Sequence, residues 1–148
     1  METVKQKITI FIEALETLEE GIDLFNEYDA LFMKNATQKN RQLFLGMRDS
    51  MIQRFEYCTD LFWKILKVYL ENVEKVAIEL SSPRGIIRDA VKARLLTEDE
   101  GDDCIRMVES RNRTSHIYHE QTAERIALNV PDYYVLMKHI IDRIIKSI

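Results

Sequence analysis

The chain has 148 residues, a formal charge of −4 and an isoelectric point near 5.5. That length suits one domain over residues 1–148, large enough to bury about two-thirds of the surface it exposes when unfolded. The acidic balance excludes broad coating of nucleic acid, which needs a basic face, while leaving room for a local basic pocket. Cys58 and Cys104 are isolated, so a disulfide framework is excluded and reduced thiols in a cytoplasmic protein are expected. No charged start precedes an apolar run, as in a signal peptide, and no apolar stretch approaches the ~18 residues that cross a bilayer. The expectation is therefore a soluble protein without a membrane role.

Four glycines and two prolines predict few turns and long elements. Val4, Ile8, Phe11, Leu15, Leu18, Ile22 and Phe25 recur at steps of three and four, the stripe of an amphipathic helix with Thr3 as candidate N-cap. Gly21 lies inside that stripe, costs about 1 kcal/mol against alanine, and so needs a packing reason. Residues 26–38 are mixed and read as a connection or a short helix. A long helix follows from about Asn40, where Met51, Phe55, Cys58, Phe62, Ile65 and Tyr69 form one stripe, widened by Trp63 and Leu66. An arc this wide must face more than one neighbour, which makes the helix central. Beyond Asn72 the pattern either continues or folds back as a loop.

Serine followed by Pro83 marks the start of the next helix, because proline's missing N–H and fixed φ suit the first helical position. Thr97 with Glu100 is a capping box, and the acidic run from Glu98 to Asp103 complements a positive helix N-terminus. The last helix, EQTAERIALNVPDYYVLMKHIIDRIIKSI, should be kinked or split at Pro131, with Val130 pushed out of helical geometry. His139 within it reads as a partly buried packing residue. No period-two alternation bounded by hairpin turns is present, so no sheet is expected. The reading is all-α, an antiparallel up-and-down bundle of four or five helices.

The motifs that cradle nucleotides, G-x-x-x-x-G-K-S/T and G-x-G-x-x-G, are missing, as is H-E-x-x-H. Paired E-x-x-H motifs of a di-iron bundle are missing too. With three histidines in all, a closed metal site is not expected, nor any other cofactor. The chemistry concentrates in RNRTSHIYHE, residues 111–120, with two of those histidines. On a continuous helix Arg111, Ser115 and Tyr118 share one face, but Arg111 and His116 diverge by about 140°. For arginine, histidine and tyrosine to converge, the helix must end or bend near Ser115, or a second chain must complete the site. The cluster then has two readings. It is a solvated, capped helix end, or a site where histidine moves protons and arginine stabilises phosphate charge during attack by an RNA 2′-hydroxyl.

Three stretches together carry a family likeness: IQRFEYCTDLFWKILKVYLE, SSPRGIIRDAVKARLL and ESRNRTSHIYHE with its tail. From about Arg41 to the C-terminus the chain resembles the HEPN superfamily, in its nucleotidyltransferase-substrate-binding or HepT-like branch. The resemblance implies a helical homodimer encoded beside a minimal nucleotidyltransferase. It further implies an RNase toxin, independent of metal, whose R-x-x-x-x-H pair would be Arg111 and His116. Asn112 would support that pair, and Arg113 and Ser115 are candidates for phosphate contact. Tyr118 matches the tyrosine that the partner modifies with AMP, which would place charge and bulk where RNA phosphate must sit. The alternative implied by the same branch is a subunit without catalysis, presenting substrate to the transferase. Within the long helix, Glu56 and Asp60 read as ordinary surface and core residues, and Arg84 as part of a helix start.

Overall fold

The computed structural model describes residues 2–148. Five helices follow in order: α1 (Glu2–Lys34), α2 (Gln38–Asn72), α3 (Pro83–Lys92), α4 (Glu98–Asn112) and α5 (Glu120–Ser147), with no strand among the described residues. They form an antiparallel helical bundle. The long α1–α2 hairpin is its spine, and α5 packs against both of its helices. The expected stripes are its core. Phe11, Leu18, Phe55, Phe62 and Leu66 are fully buried, joined by Met107 from α4 and Met137 from α5. Burying such side chains contributes about 1.5–3 kcal/mol each, so the bundle is held from its interior. Trp63 is partly buried against this core.

Four local expectations need correction. Helix α1 does not stop near residue 26 but runs to Lys34. The extra turns have a partner on α2, where Phe44 packs on Phe25 at 5.3 Å and on Phe32 at 5.7 Å. Thr3 lies inside α1, which starts at Glu2, so it is not a cap. Helix α5 is uninterrupted through Val130 and Pro131. Proline there costs ~3 kcal/mol, but Val130 is completely buried beside Ile126 and Ala127, and that packing keeps the helix whole. His139 is exposed rather than packed inside.

The capping signals of α3 and α4 form as read. Thr97 accepts from the Glu100 amide while the Glu100 carboxylate accepts from the Thr97 amide. Ser82 accepts from the Gly85 amide, with Pro83 opening α3. The chain after Asn72 leaves the helix and returns as a loop. Gly21 has its packing reason: a Cβ there would lie 3.0 Å from Arg54 Cδ and 3.5 Å from the Met51 backbone. Helices α1 and α2 thus approach closely at that point. Arg54 fastens the approach by donating to the Thr17 carbonyl at 2.9 Å.

Candidate functional site at the α4–α5 corner

Helix α4 ends at Asn112, and the chain turns through a short 3₁₀ segment, Thr114–His116, before α5 begins at Glu120. The turn closes on its own backbone: the His116 amide donates to the Arg113 carbonyl and the His119 amide to the His116 carbonyl. Helical regularity therefore breaks between Arg111 and His116, at the place where convergence of their side chains would need it.

Arg111, in the last turn of α4, reaches across to α2. Its Nε donates to Asp60 Oδ1 at 2.7 Å and its Nη2 to Asp60 Oδ2 at 3.0 Å, a two-pronged contact. Glu56, one turn earlier on α2, stands 3.4 Å from Nη2. Thr114, buried, accepts from Arg111 Nη1 and has Glu56 Oε2 at 2.7 Å as acceptor for its own proton. Hydrogen bonding to Asp60, and the charges of Asp60 and Glu56, raise the Arg111 pKa against the effect of burial. Three of its five N–H donors are thus committed within the chain. Glu56 and Asp60 are therefore the residues that hold Arg111, not bystanders. Their spacing of four on a helix was the available signal, but nothing in the sequence linked that pair to Arg111.

His116 and Tyr118 face solvent. The Tyr118 hydroxyl lies 3.4 Å from His116 Nδ1, and the Tyr118 ring packs on His119 with centroids 4.3 Å apart. Ser115 and Asn112 are exposed on the same corner. No hydrogen bond or ion pair joins Arg111 to His116 among the described residues. The corner brings His116, Tyr118 and His119 together and turns Arg111 onto α2. Arg113 is exposed and lines a groove between α4 and α5. Arg48, which the sequence did not single out, is nearly buried and donates to Glu120 at 2.8 Å, tying the start of α5 to α2. No group of three His, Cys, Asp or Glu suited to a metal occurs among the described residues. No helix among them is long and apolar enough to cross a membrane.

A family model described as nucleotidyltransferase substrate binding protein like matches residues 6–146, nearly the whole chain. The chain belongs to that family. It is the branch that the α2, α3 and α4–α5 motifs resemble. Among solved structures, a protein from Thermus thermophilus is 35% identical, with 90% of this chain and 97% of that one covered and a TM-score of 0.69. A Haemophilus influenzae protein, whose structure is described as revealing the fold of a substrate binding domain of a nucleotidyltransferase, shares the fold. It is 17% identical, over 92% of this chain and 97% of that one, with a TM-score of 0.74. The fold is also that of a chain in a crystal structure of a toxin–antitoxin with AMP-PNP. That chain is 19% identical, over 91% and 97%, with a TM-score of 0.64. No curated protein sequence matches the chain.

Proposed function

We propose that this family member is the HEPN-type half of a two-gene module with a minimal nucleotidyltransferase. In this reading it is an RNase toxin, independent of metal and cofactor, that acts through Arg111 and His116 and is silenced by AMP transfer to Tyr118. The observation that carries the reading is the 3.4 Å approach of the Tyr118 hydroxyl to His116 Nδ1 at an exposed helix break. A nucleotide on that hydroxyl would cover the imidazole and add negative charge beside it, which accounts for silencing by sterics and electrostatics together.

The chemistry assigned to each group follows from its setting. His116 removes the proton of the RNA 2′-hydroxyl as that oxygen attacks phosphorus, or protonates the departing 5′ oxygen. Arg111 carries a fixed positive charge whose remaining N–H donors are free for a phosphoryl oxygen. Asn112 supports the pair, with Arg113 and Ser115 as phosphate contacts. Because Arg111 is turned onto α2 within one chain, the proposed working unit is a homodimer, in which the second copy adds its own corner to a shared cleft. In the silencing reaction the Tyr118 oxygen attacks the α-phosphorus of ATP and pyrophosphate leaves.

The test is incubation of the purified protein with RNA beside a His116→Ala control. Loss of about 10²–10⁴-fold in cleavage is expected for the variant, the usual worth of a positioned acid or base. Equal rates for both, or no cleavage by either, would defeat the catalytic reading.

One observation favours a second reading. Asp60 and Glu56 compensate the Arg111 charge, as befits a bundle that presents substrate to the transferase without catalysing. That reading expects complex formation and altered transferase activity, with no growth cost from expressing this chain alone. Toxicity removed by His116→Ala would count against it.

A further inference from the structure

Beside the α4–α5 corner, a groove of about 350 Å³ runs between the two helices. Ser110 and Ile126 form its buried floor, and Arg113, Thr122, Arg125 and Asn129 its sides. No carboxylate lines it. Elsewhere Arg48, Arg84, Arg106, Arg111 and Arg143 sit on acidic side chains. By contrast, no ion pair or hydrogen bond engages the side chains of Arg113, Arg125 or Thr122 among the described residues. The two arginines come from different elements, Arg113 from the turn that caps α4 and Arg125 from α5, and line one concavity. Thr122 lies in the first turn of α5, where the helix dipole is positive. Ser110, within 3.4 Å of the Tyr133 hydroxyl, adds a hydroxyl to the floor.

We infer that this groove is a binding site for a phosphate ester, with Arg113 and Arg125 as a two-sided clamp and Thr122 as a neutral donor. Two planar forks with their donors unspent suit the several oxygens of one phosphate, and bidentate contact is what arginine provides there. The volume is at the small end of ligand pockets, room for about one nucleotide unit and not a duplex. Arg113 directly precedes the Thr114–His116 turn, so the groove adjoins the segment that carries His116 and Tyr118. A strand held in it would be delivered to that corner. The inference rests on the nucleic-acid reading above for its ligand, and it adds the site that grips the strand outside the bond being cleaved. The phosphate has two sources, an internal phosphodiester of single-stranded RNA or the terminal phosphate of a mononucleotide.

The experiment measures binding without cleavage, so that it stands apart from the RNase question. A labelled single-stranded 2′-O-methyl oligonucleotide, which lacks the internal nucleophile, is titrated with wild-type protein, Arg125→Gln, Arg113→Gln and Arg41→Gln. The last variant removes an equal charge from an exposed site on α2. We expect Kd to rise about 5–20-fold for each groove variant and less than twofold for Arg41→Gln. The dependence of binding on salt should become shallower by about one phosphate contact per groove arginine. Competition by AMP identifies a terminal phosphate as occupant, and failure of AMP to compete an internal phosphodiester; either result supports the site. Binding by the wild type that Arg125→Gln and Arg113→Gln leave within twofold would overturn it, as would no wild-type binding at low salt. RNA cleavage alongside an unaffected Kd would reject the groove and leave the proposed function intact. Tight, groove-dependent binding without cleavage would do the reverse.

Discussion

Arg111 and Asp60 meet through two parallel hydrogen bonds, Nε to Oδ1 at 2.7 Å and Nη2 to Oδ2 at 3.0 Å, joining the end of α4 to the middle of α2. The Asp60 carboxylate is 42% exposed and the arginine side chain 26%, so solvent screens the pair and its net worth is modest. Replacing Asp60 with Asn should cost about 1 kcal/mol. A double-mutant cycle with Arg111→Ala, followed by urea denaturation, should return a coupling of about 1 kcal/mol. Additive losses from the two changes would show that the contact is positional only.

Tyr118 is 74% exposed and touches only its neighbours in the turn. Tyr118→Phe should therefore leave the unfolding midpoint within about 0.5 kcal/mol of wild type. Co-expressed with the transferase, the variant should stay unmodified by intact-mass measurement while the wild type gains the mass of AMP. RNA cleavage by the variant should persist in the presence of the partner. A variant that is still modified would place the acceptor elsewhere.

Glu100 links two elements, capping α4 while receiving two 2.8 Å hydrogen bonds from Arg143 of α5. Hydrogen bonding to Arg143 above all lowers its pKa from 4.5 to about 2, against the effect of burial and with help from the Thr97 amide. A depressed carboxylate pKa contributes stability that is present above the unfolded value and is lost as pH falls through the folded one. The contribution, on the order of 2 kcal/mol after allowing for partial exposure of Arg143, should thus disappear between about pH 4.5 and 2. Chemical denaturation at a series of pH values checks this. Glu100→Gln should be less stable at pH 7 and show a flatter acid limb.

Burial pushes the thiols of Cys58 and Cys104 up to about 12, and the carboxylates of Glu100 and Asp103 add to the rise at Cys104. The thiolate fraction at pH 8 is then on the order of 10⁻⁴. A thiol-specific reagent should leave both cysteines unlabelled in native protein and modify both in urea. Fast labelling of either under native conditions would mean that the core opens around it.

The helices, their caps and their inward stripes were legible in the sequence because each rests on contacts within a few residues. Thr97 finds Glu100 three positions on, Ser82 is followed by Pro83, and the six residues from Met51 to Tyr69 need only helical periodicity to share a face. The limits of α1 and the continuity of α5 were not legible. Phe44 supports the last turns of α1, and burial of Val130 outweighs Pro131, two long-range effects that override local preference. The break after Asn112 stood between: the angle separating Arg111 and His116 asked for it only if the two act together, and its form came from the structure alone.

Composition and periodicity by themselves determined that the chain is a helical bundle, and the sequence alone located its polar chemistry at residues 111–120. Only the tertiary structure decided what that chemistry touches. Asp60 is 51 positions from Arg111, and Arg113 in the turn after α4 and Arg125 on α5 line one groove. Charges so far apart in the chain meet only when apolar faces pack and fix which helices become neighbours. That packing ties Arg111 to carboxylates, while Arg113 and Arg125 line a groove that has none.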